Sequence, residues 1–348
     1  MMAEIWPSLL NGTECLTLKL HTAIPSFLSI FYLCGFLLNS LSLWIFASQR
    51  RKWNSGMVLQ FNLALSDVLV TPATPFLVLY SLWDDWPFGR FLCQLKVFLL
   101  SVHVYGGICF LTLISVHRCS TVARHQGASK SRMANPGYVQ RLCAGVWVGL
   151  LLQGLPFFGL LDVWRDRENS TKCLSFHQRN MAPLFFFYNL SILVVGVLLP
   201  LFVFVACYVW LSSFLSRMTA QGTQGRAMKA HSARVIAACL CIFILCYVPL
   251  HITRTMGVTV ALFHPGECPF LARVELSYYI SFTLSSANCC LDPLLYCFSS
   301  RRFRATLWQK LKRVRQVCSL CHARQREPEP GDNTDEPIST VNTTDRVT

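Results

Sequence analysis

Long apolar runs separated by short polar connections organise this sequence. Seven runs are long enough to cross a hydrocarbon core as helices, which takes roughly 20 apolar residues each. Their predicted limits, numbered here as spans 1 to 7, are 25–47, 57–80, 91–117, 139–161, 184–214, 233–262 and 272–298. Because these runs are continuous and do not alternate with polar residues, they predict an all-α membrane protein, a seven-transmembrane helix bundle over residues 25–298.

The pattern changes after span 7. Apolar residues then recur every four positions with basic residues between them, at Phe303, Leu307 and Leu311. This spacing predicts a short amphipathic eighth helix at 299–317 that lies on the membrane surface.

Two cysteines follow this helix, Cys318 and Cys321. Their position beside the membrane makes them candidates for palmitoylation. The stretch CSLCH also matches the pattern for haem attachment, but a segment next to a membrane helix disfavours that interpretation. The tail has no apolar periodicity, so we predict a disordered cytoplasmic segment at 318–348.

Composition and charge agree with a membrane protein. The chain is 53% hydrophobic and 14% charged, with a mean hydropathy of +0.43 and a formal net charge of +14. The connections on the side of the carboxyl terminus hold 21 Lys and Arg, whereas those on the other side hold 7. Positive residues favour the cytoplasm, so residues 1–24 are expected outside the cell, as in a multi-pass plasma-membrane protein. The charge is divided among short loops that face anionic lipid, which argues against nucleic acid as a partner.

Cysteines and sequons on the external side predict disulfide bonds and glycans. Four of the 17 cysteines are expected there, at Cys15, Cys93, Cys173 and Cys268. An even number in an oxidising compartment predicts two disulfides, and four cysteines allow three pairings. Two sequons also lie outside, so Asn11 and Asn169 are expected to carry glycans.

Short motifs follow one another in a specific order along the spans. Spans 1 to 3 contain GFLLN ending at Asn39, NLALSD ending at Asp67, and His117-Arg118-Cys119. Spans 4 to 7 contain Trp147 and Pro156, Pro200 and Tyr208, FILCYVP (243–249) and NCCLDPLLY (288–296). Each motif alone is weak, but together they resemble the rhodopsin-like (class A) G-protein-coupled receptors over roughly residues 20–320.

The resemblance implies how the external cysteines pair. Cys93 would bond to Cys173, which joins span 3 to the second outer loop. Cys15 would bond to Cys268, which joins the amino-terminal segment to the third outer loop.

The resemblance also implies a sodium ion bound inside the bundle. A carboxylate within an apolar span needs a counter-charge, a proton or a hydrogen-bond network, so a protonated acid is the alternative. The residues that would bind the ion are Asp67, Asn39, Asn288 and Asp292. The chain departs from the family at Gly107 and Cys289, where hydroxyl groups are usual.

Prolines in spans 5 to 7 remove helical hydrogen bonds and bend the helices. By resemblance, span 6 swings outward about Pro249 on activation, and Asp292 and Pro293 belong to the switch in span 7. The cleft that opens is expected to bind a heterotrimeric G protein, and arrestin and receptor kinases are further partners of the family. The residues expected around this cleft are His117, Arg118, Tyr208 and Tyr296.

Cations outnumber anions on the external side of the bundle. His251 and Arg254 are three positions apart, which places them on one face of span 6. Buried cations there need anionic partners, so we expect a small extracellular ligand with a phosphate or carboxylate. The alternative is that these residues extend toward the interface or that Arg254 pairs with Glu275. The candidate ligand-binding residues are Lys96, His251, Arg254, Arg273 and Tyr279.

SVHRC (115–119), HITR (251–254) and SSANCCLDP (285–293) together resemble the purinergic branch, the metabotropic nucleotide receptors. That branch usually has a basic-x-x-Arg motif in span 7, where this chain has the uncharged 279–282, and Lys96 precedes the expected cation position by one residue. The resemblance implies a nucleotide or nucleotide-like ligand, but these departures remove a clamp expected for a triphosphate. A carboxylate metabolite, an anionic lipid, or an orphan receptor with basal activity are the alternatives.

Two other classes of function are disfavoured. The sequence has no H-E-x-x-H motif and no paired acids on one membrane helix, so an enzyme is not expected. Seven unequal spans without an obvious repeat, with almost no charge along the bundle centre, argue against a transporter or channel.

We predict that replacing His117 by Asp lowers basal signalling. The family more often has a carboxylate here, which restrains the adjacent arginine in the resting state, and a neutral imidazole cannot form that ion pair. Residues 226–235, at the start of span 6, offer no acid either. Second-messenger production without ligand, at matched surface expression, is the measurement. Unchanged basal signalling would mean that another group restrains the arginine.

Overall fold

The computed structural model describes residues 22–124, 131–165, 169–173, 182–216, 223–264 and 266–324. Two compact units are distinguished, one ending at Phe303 and one beginning at Arg304. The described part of the first unit is helical apart from short connections and one small hairpin.

Thirteen α-helices are present in the described residues. They are α1 (Ala23–Ser48), α2 (Ser55–Leu69), α3 (Thr74–Trp83), α4 (Gly89–Arg124), α5 (Pro136–Gly154), α6 (Pro156–Leu160), α7 (Ala182–Ile192), α8 (Leu199–Ser216), α9 (Thr223–Ile242), α10 (Val248–Phe263), α11 (Cys268–Ser286), α12 (Asn288–Ser299) and α13 (Arg301–Arg324). Short 3₁₀ turns occur at Arg50–Lys52, Thr71–Ala73 and Arg132–Ala134. π-Helical segments at Leu193–Leu198 and Phe243–Tyr247 join α7 to α8 and α9 to α10.

These helices form the predicted spans. Six segments in the described chain are long and apolar enough to cross a membrane: Ala23–Ser48, Ser55–Trp83, Gly89–Arg124, Pro136–Leu160, Pro183–Ser213 and Ala227–Phe263. Span 7 corresponds to α11 and α12, which meet at Ala287. It is less apolar because it supplies polar residues such as Asn288 and Asp292 to the interior of the bundle.

Span 3 occupies the centre of the bundle. In its most apolar window 67% of the residues are buried, against 22% in the corresponding windows of spans 4 and 5. Large apolar side chains of the peripheral spans are exposed instead, as is usual where a helix faces lipid. The chain therefore forms an all-α membrane helix bundle arranged around α4.

A disulfide fastens one end of the bundle. Cys93, near the start of α4, is bonded to Cys173 as the resemblance implied. Cys173 belongs to strand β2 (Thr171–Cys173), which pairs in antiparallel register with β1 (Val163–Arg165). We call this the disulfide end, and the opposite end, where α4 carries Arg118, the Arg118 end.

Other predicted modification sites fall partly within the described residues. Cys268 is disulfide-bonded, whereas Cys15, its expected partner, lies outside the described part of the chain. Asn11 also lies outside it. Asn169 is exposed in the hairpin and has a positive φ of 61°, a conformation that asparagine tolerates better than most residues.

The eighth helix is longer than predicted. The pattern placed it at 299–317, but α13 runs to Arg324 and includes the backbone of Cys318 and Cys321. Residues 318–324, assigned to a disordered tail, are therefore helical. Apolar residues at 314, 317 and 320 continue the helical spacing, and no proline or glycine interrupts it.

A pair of glycines in α5 provides a test of the packing. A Cβ at Gly154 would overlap the ring of Phe98 in span 3, whereas a Cβ at Gly149 would meet no atom within 4 Å. We expect Gly154→Ala to destabilise the bundle by about 1–3 kcal/mol through overpacking. Gly149→Ala, the matched control, should be neutral or stabilise it by up to about 1 kcal/mol. Thermal unfolding in detergent measures both, and equal stabilities would contradict the packing of spans 3 and 4.

Candidate functional site

A cavity lies between the helices at the disulfide end. Its volume is about 120 Å³, and spans 1, 2, 3, 4, 6 and 7, together with Cys173 of the hairpin, contribute to its wall. Two cations line it, Lys96 from α4 and Arg254 from α10, among aromatic and aliphatic side chains.

Lys96 is held between two aromatic rings. Its Nζ lies 4.5 Å from the ring centroid of Tyr80 and 4.4 Å from that of Trp86, and the residue is 5% exposed. Contact with the faces of aromatic rings partly offsets the loss of hydration of the ammonium group. The ring of Trp86 is itself fixed, because its Nε1 donates to the carbonyl oxygen of Gly89.

The carboxylate in the cavity wall is already engaged by another cation. Asp84 ends α3 in a left-handed conformation, and its Oδ1 lies 2.7 Å from Nζ of Lys172 in β2. The same Nζ donates to the carbonyl oxygen of Asp84 at 2.7 Å. This ion pair leaves Lys96 facing rings rather than the acid.

Arg254 is held by tyrosines of two other spans. Its Nη1 donates to Oη of Tyr105 at 3.1 Å, and its guanidinium carbon lies 5.8 Å from the ring centroid of Tyr188. That hydrogen bond uses one of the five N–H donors of the guanidinium group. The arginine thus has a fixed position in the cavity wall and keeps donor capacity for an anion.

Three of the five predicted ligand-binding residues line the cavity: Lys96, Arg254 and Tyr279. His251 is buried one turn earlier in α10, with its ring 5.6 Å from that of Tyr105. Arg273 is exposed on α11 and is not among the lining residues, so its role stays a prediction.

Sequence reasoning missed the aromatic residues that hold the two cations. They are Tyr80, Trp86, Tyr105 and Tyr188. The available signal was the aromatic-rich sequence in and between spans 2 and 3 and at the start of span 5, but aromatic residues are common in membrane helices and at their interfaces, so that signal is weak.

A polar cluster lies deeper in the bundle, at the position predicted for sodium. Asp67, Asn39, Asn288 and Asp292 are all buried there. Nδ2 of Asn288 donates to Oδ2 of Asp292 at 2.8 Å, and Nδ2 of Asn39 donates to the carbonyl oxygen of Cys289 at 2.7 Å. The structure therefore brings the four predicted residues into one region.

His103 is an unpredicted neighbour of this cluster. Its Nδ1 lies 3.2 Å from Oδ1 of Asp67, but the two atoms are not aligned for a hydrogen bond. Both side chains consequently keep buried atoms without a hydrogen-bond partner in the described residues. A histidine in span 3 gave no motif signal in the sequence, and packing alone brings it to Asp67.

The two departures from the sodium-binding pattern have visible consequences. The hydroxyl of Tyr247 occupies the space that a side chain at Gly107 would need, and it accepts from Nδ2 of Asn288 at 2.6 Å. The thiol of Cys289 contacts the carbonyl oxygen of Ser286 at 2.9 Å. Among the described residues, oxygen atoms of Asp67, Asn39, Asn288 and Asp292 still lack hydrogen-bond partners, and this donor set suits a hard cation.

At the Arg118 end, a hydrogen bond joins span 3 to span 7. Nη2 of Arg118 donates to the carbonyl oxygen of Ser299 at 2.7 Å and contacts its Oγ. His117 points to a different neighbour, the start of α2, where its ring limits the space beside Gly56. Ser299 therefore restrains the arginine, in place of the carboxylate that the resemblance implies at position 117.

The other predicted switch residues occupy varied environments. Tyr208 is 40% exposed, whereas Tyr296 is buried and its ring lies 5.6 Å from that of Phe46. Pro249 is near the start of α10, directly after the π-helical segment Phe243–Tyr247, and Pro293 lies inside α12.

Comparison with known proteins gives a consistent result. The model of the family "7 transmembrane receptor (rhodopsin family)" matches residues 38–296. Purinoceptor 2 of Mus musculus is 33% identical over 314 residues, which cover 86% of this chain and 82% of the relative. Purinoceptor 4 of Rattus norvegicus is 32% identical over 290 residues, covering 82% and 78%. Cysteinyl leukotriene receptor 1 of Mus musculus is 29% identical over 313 residues, covering 86% and 88%.

Proposed function

Because the chain belongs to the rhodopsin family of seven-transmembrane receptors, we propose that it binds a small anionic ligand at the disulfide end and activates a heterotrimeric G protein at the Arg118 end. The protein is a multi-pass membrane receptor near the purinergic branch of class A, and its relatives are receptors and not enzymes.

The observation that supports the ligand proposal is the environment of the two cations in the cavity wall. Lys96 and Arg254 line one cavity, both are held by aromatic side chains, and the cavity's carboxylate is bound to Lys172. An anion that reached both cations would gain charge-assisted hydrogen bonds in a partly desolvated site. A cationic ligand would meet like charges there.

A nucleotide or nucleotide-like ligand is the first candidate, because several relatives are named purinoceptors. A carboxylate metabolite or an anionic lipid is the second, since Tyr279 and Phe282 line the cavity where the purinergic branch usually has cations. The small volume, about 120 Å³, favours a ligand with fewer phosphates than a triphosphate.

Activation in this proposal is a shift between two packings of the bundle. A ligand changes the populations only by its difference in affinity for them. The π-helical segment before Pro249 gives span 6 a weak point about which it can bend. Its outward movement would release Arg118 from Ser299 and open a cleft for the G protein.

The orientation, modifications and further partners of the receptor follow from the same proposal. The disulfide end faces the outside of the cell and the carboxyl terminus faces the cytoplasm, in the plasma membrane. Asn11 and Asn169 would carry glycans, Cys318 and Cys321 would be palmitoylated, and arrestin and receptor kinases would bind the cytoplasmic side. Basal activity without ligand remains the alternative mode of signalling.

We also propose that a sodium ion binds the central cluster of Asp67, Asn39, Asn288 and Asp292. Their unpartnered oxygens support it, and the contact of His103 with Asp67 favours the competing possibility that a proton neutralises the acid.

An ion that binds the resting packing better should restrain signalling. Replacing sodium by N-methylglucamine, at constant ionic strength and pH, should raise basal nucleotide exchange in the unmodified receptor and leave Asp67→Asn unchanged. Membranes with matched receptor content provide the measurement. The same response in both proteins would rule out an ion at this cluster.

Replacing Arg254 by Ala should lower the potency of an anionic agonist by about tenfold or more, since a charged hydrogen bond contributes roughly 1.5–3 kcal/mol. Arg90→Ala is the matched control, because Arg90 is an exposed cation at the same end outside the cavity. Concentration–response curves at equal surface expression measure both. Unchanged potency for Arg254→Ala, or equal losses in both variants, would contradict the proposal.

A further inference from the structure

A second and larger pocket lies at the Arg118 end. Its volume is about 380 Å³, within the range typical of small-molecule sites. The first turns of α2, the last turns of α4, the 3₁₀ turn Arg132–Ala134 and residues 299–302 form its wall. The receptor function proposed above uses His117, Arg118 and Ser299 of this wall and gives no role to its other residues.

The wall of this pocket is strongly basic. Arg118, Arg124, Arg301 and Arg302 line it, and no Asp or Glu is among its lining residues. Acids elsewhere in the described chain lie either in the central cluster or at the disulfide end, at Asp84, Asp85, Asp162, Glu267 and Glu275. The pocket therefore has four guanidinium groups without a nearby carboxylate to neutralise them.

Three lining side chains have buried polar atoms without a hydrogen-bond partner in the described residues: Nε of Arg118, Oγ of Ser55 and Oε1 of Gln60. Ser55 is 3% exposed and Gln60 is 2% exposed. Buried polar groups are normally paired, so each of these atoms calls for a partner. The arginine and the serine can donate to an anion, whereas the glutamine oxygen can accept only from a donor such as a hydroxyl group.

The N-terminus of helix α2 adds an electrostatic field that favours an anion in the pocket. It has 15 residues, and its amino-terminal turn, from Ser55 to Met57, forms part of the wall. The N-terminus of a helix carries partial positive charge and free N–H groups, which favour phosphate. Asn54 caps Met57 N with its side chain, so the turn is fixed in this position.

We propose that this pocket binds a phosphate monoester carried by a hydroxylated group, the chemistry shared by soluble inositol phosphates and phosphoinositide headgroups. The phosphate lies against the arginines, Ser55 and the start of α2, and a hydroxyl group of the ligand donates to Gln60. This ligand is distinct from the one at the disulfide end. It occupies space beside Arg118, so it and a G protein exclude each other.

The test is direct binding to the full-length receptor, which does not depend on signalling or on the ligand at the disulfide end. The receptor is purified and placed in nanodiscs of neutral phosphatidylcholine. The probes are inositol trisphosphate, a short-chain phosphatidylinositol bisphosphate, a phosphorylated peptide as the competing class of ligand, and free inositol as the uncharged control. Binding is measured by thermal shift and by native mass spectrometry.

Two sets of variants separate the pocket from the general positive charge of this end. Arg124→Gln with Arg301→Gln and Arg302→Gln should weaken phosphate binding by about tenfold or more. The control is a second triple variant, Arg50→Gln, Arg51→Gln and Arg141→Gln, since these exposed arginines are outside the pocket. Ser55→Ala should weaken binding without any change of charge.

Binding of both phosphorylated probes, lost in the first set and kept in the control set, supports the proposal with a soluble source. Binding of the lipid probe alone, with the same response to the variants, supports it with the membrane as the source. Equal losses in both sets would show attraction to a diffuse basic surface and overturn it. No binding of either probe, or binding of a phosphorylated peptide in preference to them, would also overturn it.

Discussion

The cost of placing charge inside an apolar helix bundle governs the rest of this structure. An ionised side chain within a membrane span is expensive unless it is paired, hydrogen-bonded or placed against polarisable groups. Three interior cations have such a solution: Lys96 lies between two rings, Arg254 bonds to Tyr105, and Arg118 bonds to Ser299. The helices are held in register by these contacts as well as by apolar packing, so the functional sites and the fold share the same interactions.

The charges are also separated along the bundle. Cations line the cavities at both ends, and the carboxylates of the central cluster, Asp67 and Asp292, lie between them. The contacts of the end cations are replaceable, because a tyrosine hydroxyl or a serine carbonyl oxygen is a weaker partner than a carboxylate. A stronger anionic partner at either end can therefore compete with them. Because these contacts can be replaced, the binding of an anion in the ligand cavity can change the packing of the bundle and so open the cleft at Arg118.

The spans were predictable from sequence because long apolar runs are local signals. The Cys93–Cys173 bond was implied by the family resemblance, whereas the residues alone allowed three pairings. The sites were predictable only in part. Arg254 and Lys96 were found from their charge, but the rings that hold them come from other spans, and one sequence does not show which helices face each other. The same reason hid His103 beside Asp67 and Ser299 beside Arg118. The end of α13 was misplaced because its apolar spacing continues past residue 317 with no proline or glycine to interrupt it.

The central claim is that an anion at Lys96 and Arg254 controls a G protein at the opposite end of the bundle. Guanine-nucleotide exchange by purified heterotrimeric G proteins, with the purified receptor in nanodiscs, measures this without other cell components. The probes are a panel of nucleotides, carboxylates and lysolipids, with amines as the cationic comparison. The account predicts that at least one anion changes the exchange rate and that a double variant, Lys96→Met with Arg254→Met, no longer responds to it. An amine that acts as the agonist, or an anion whose effect survives the double variant, would contradict it.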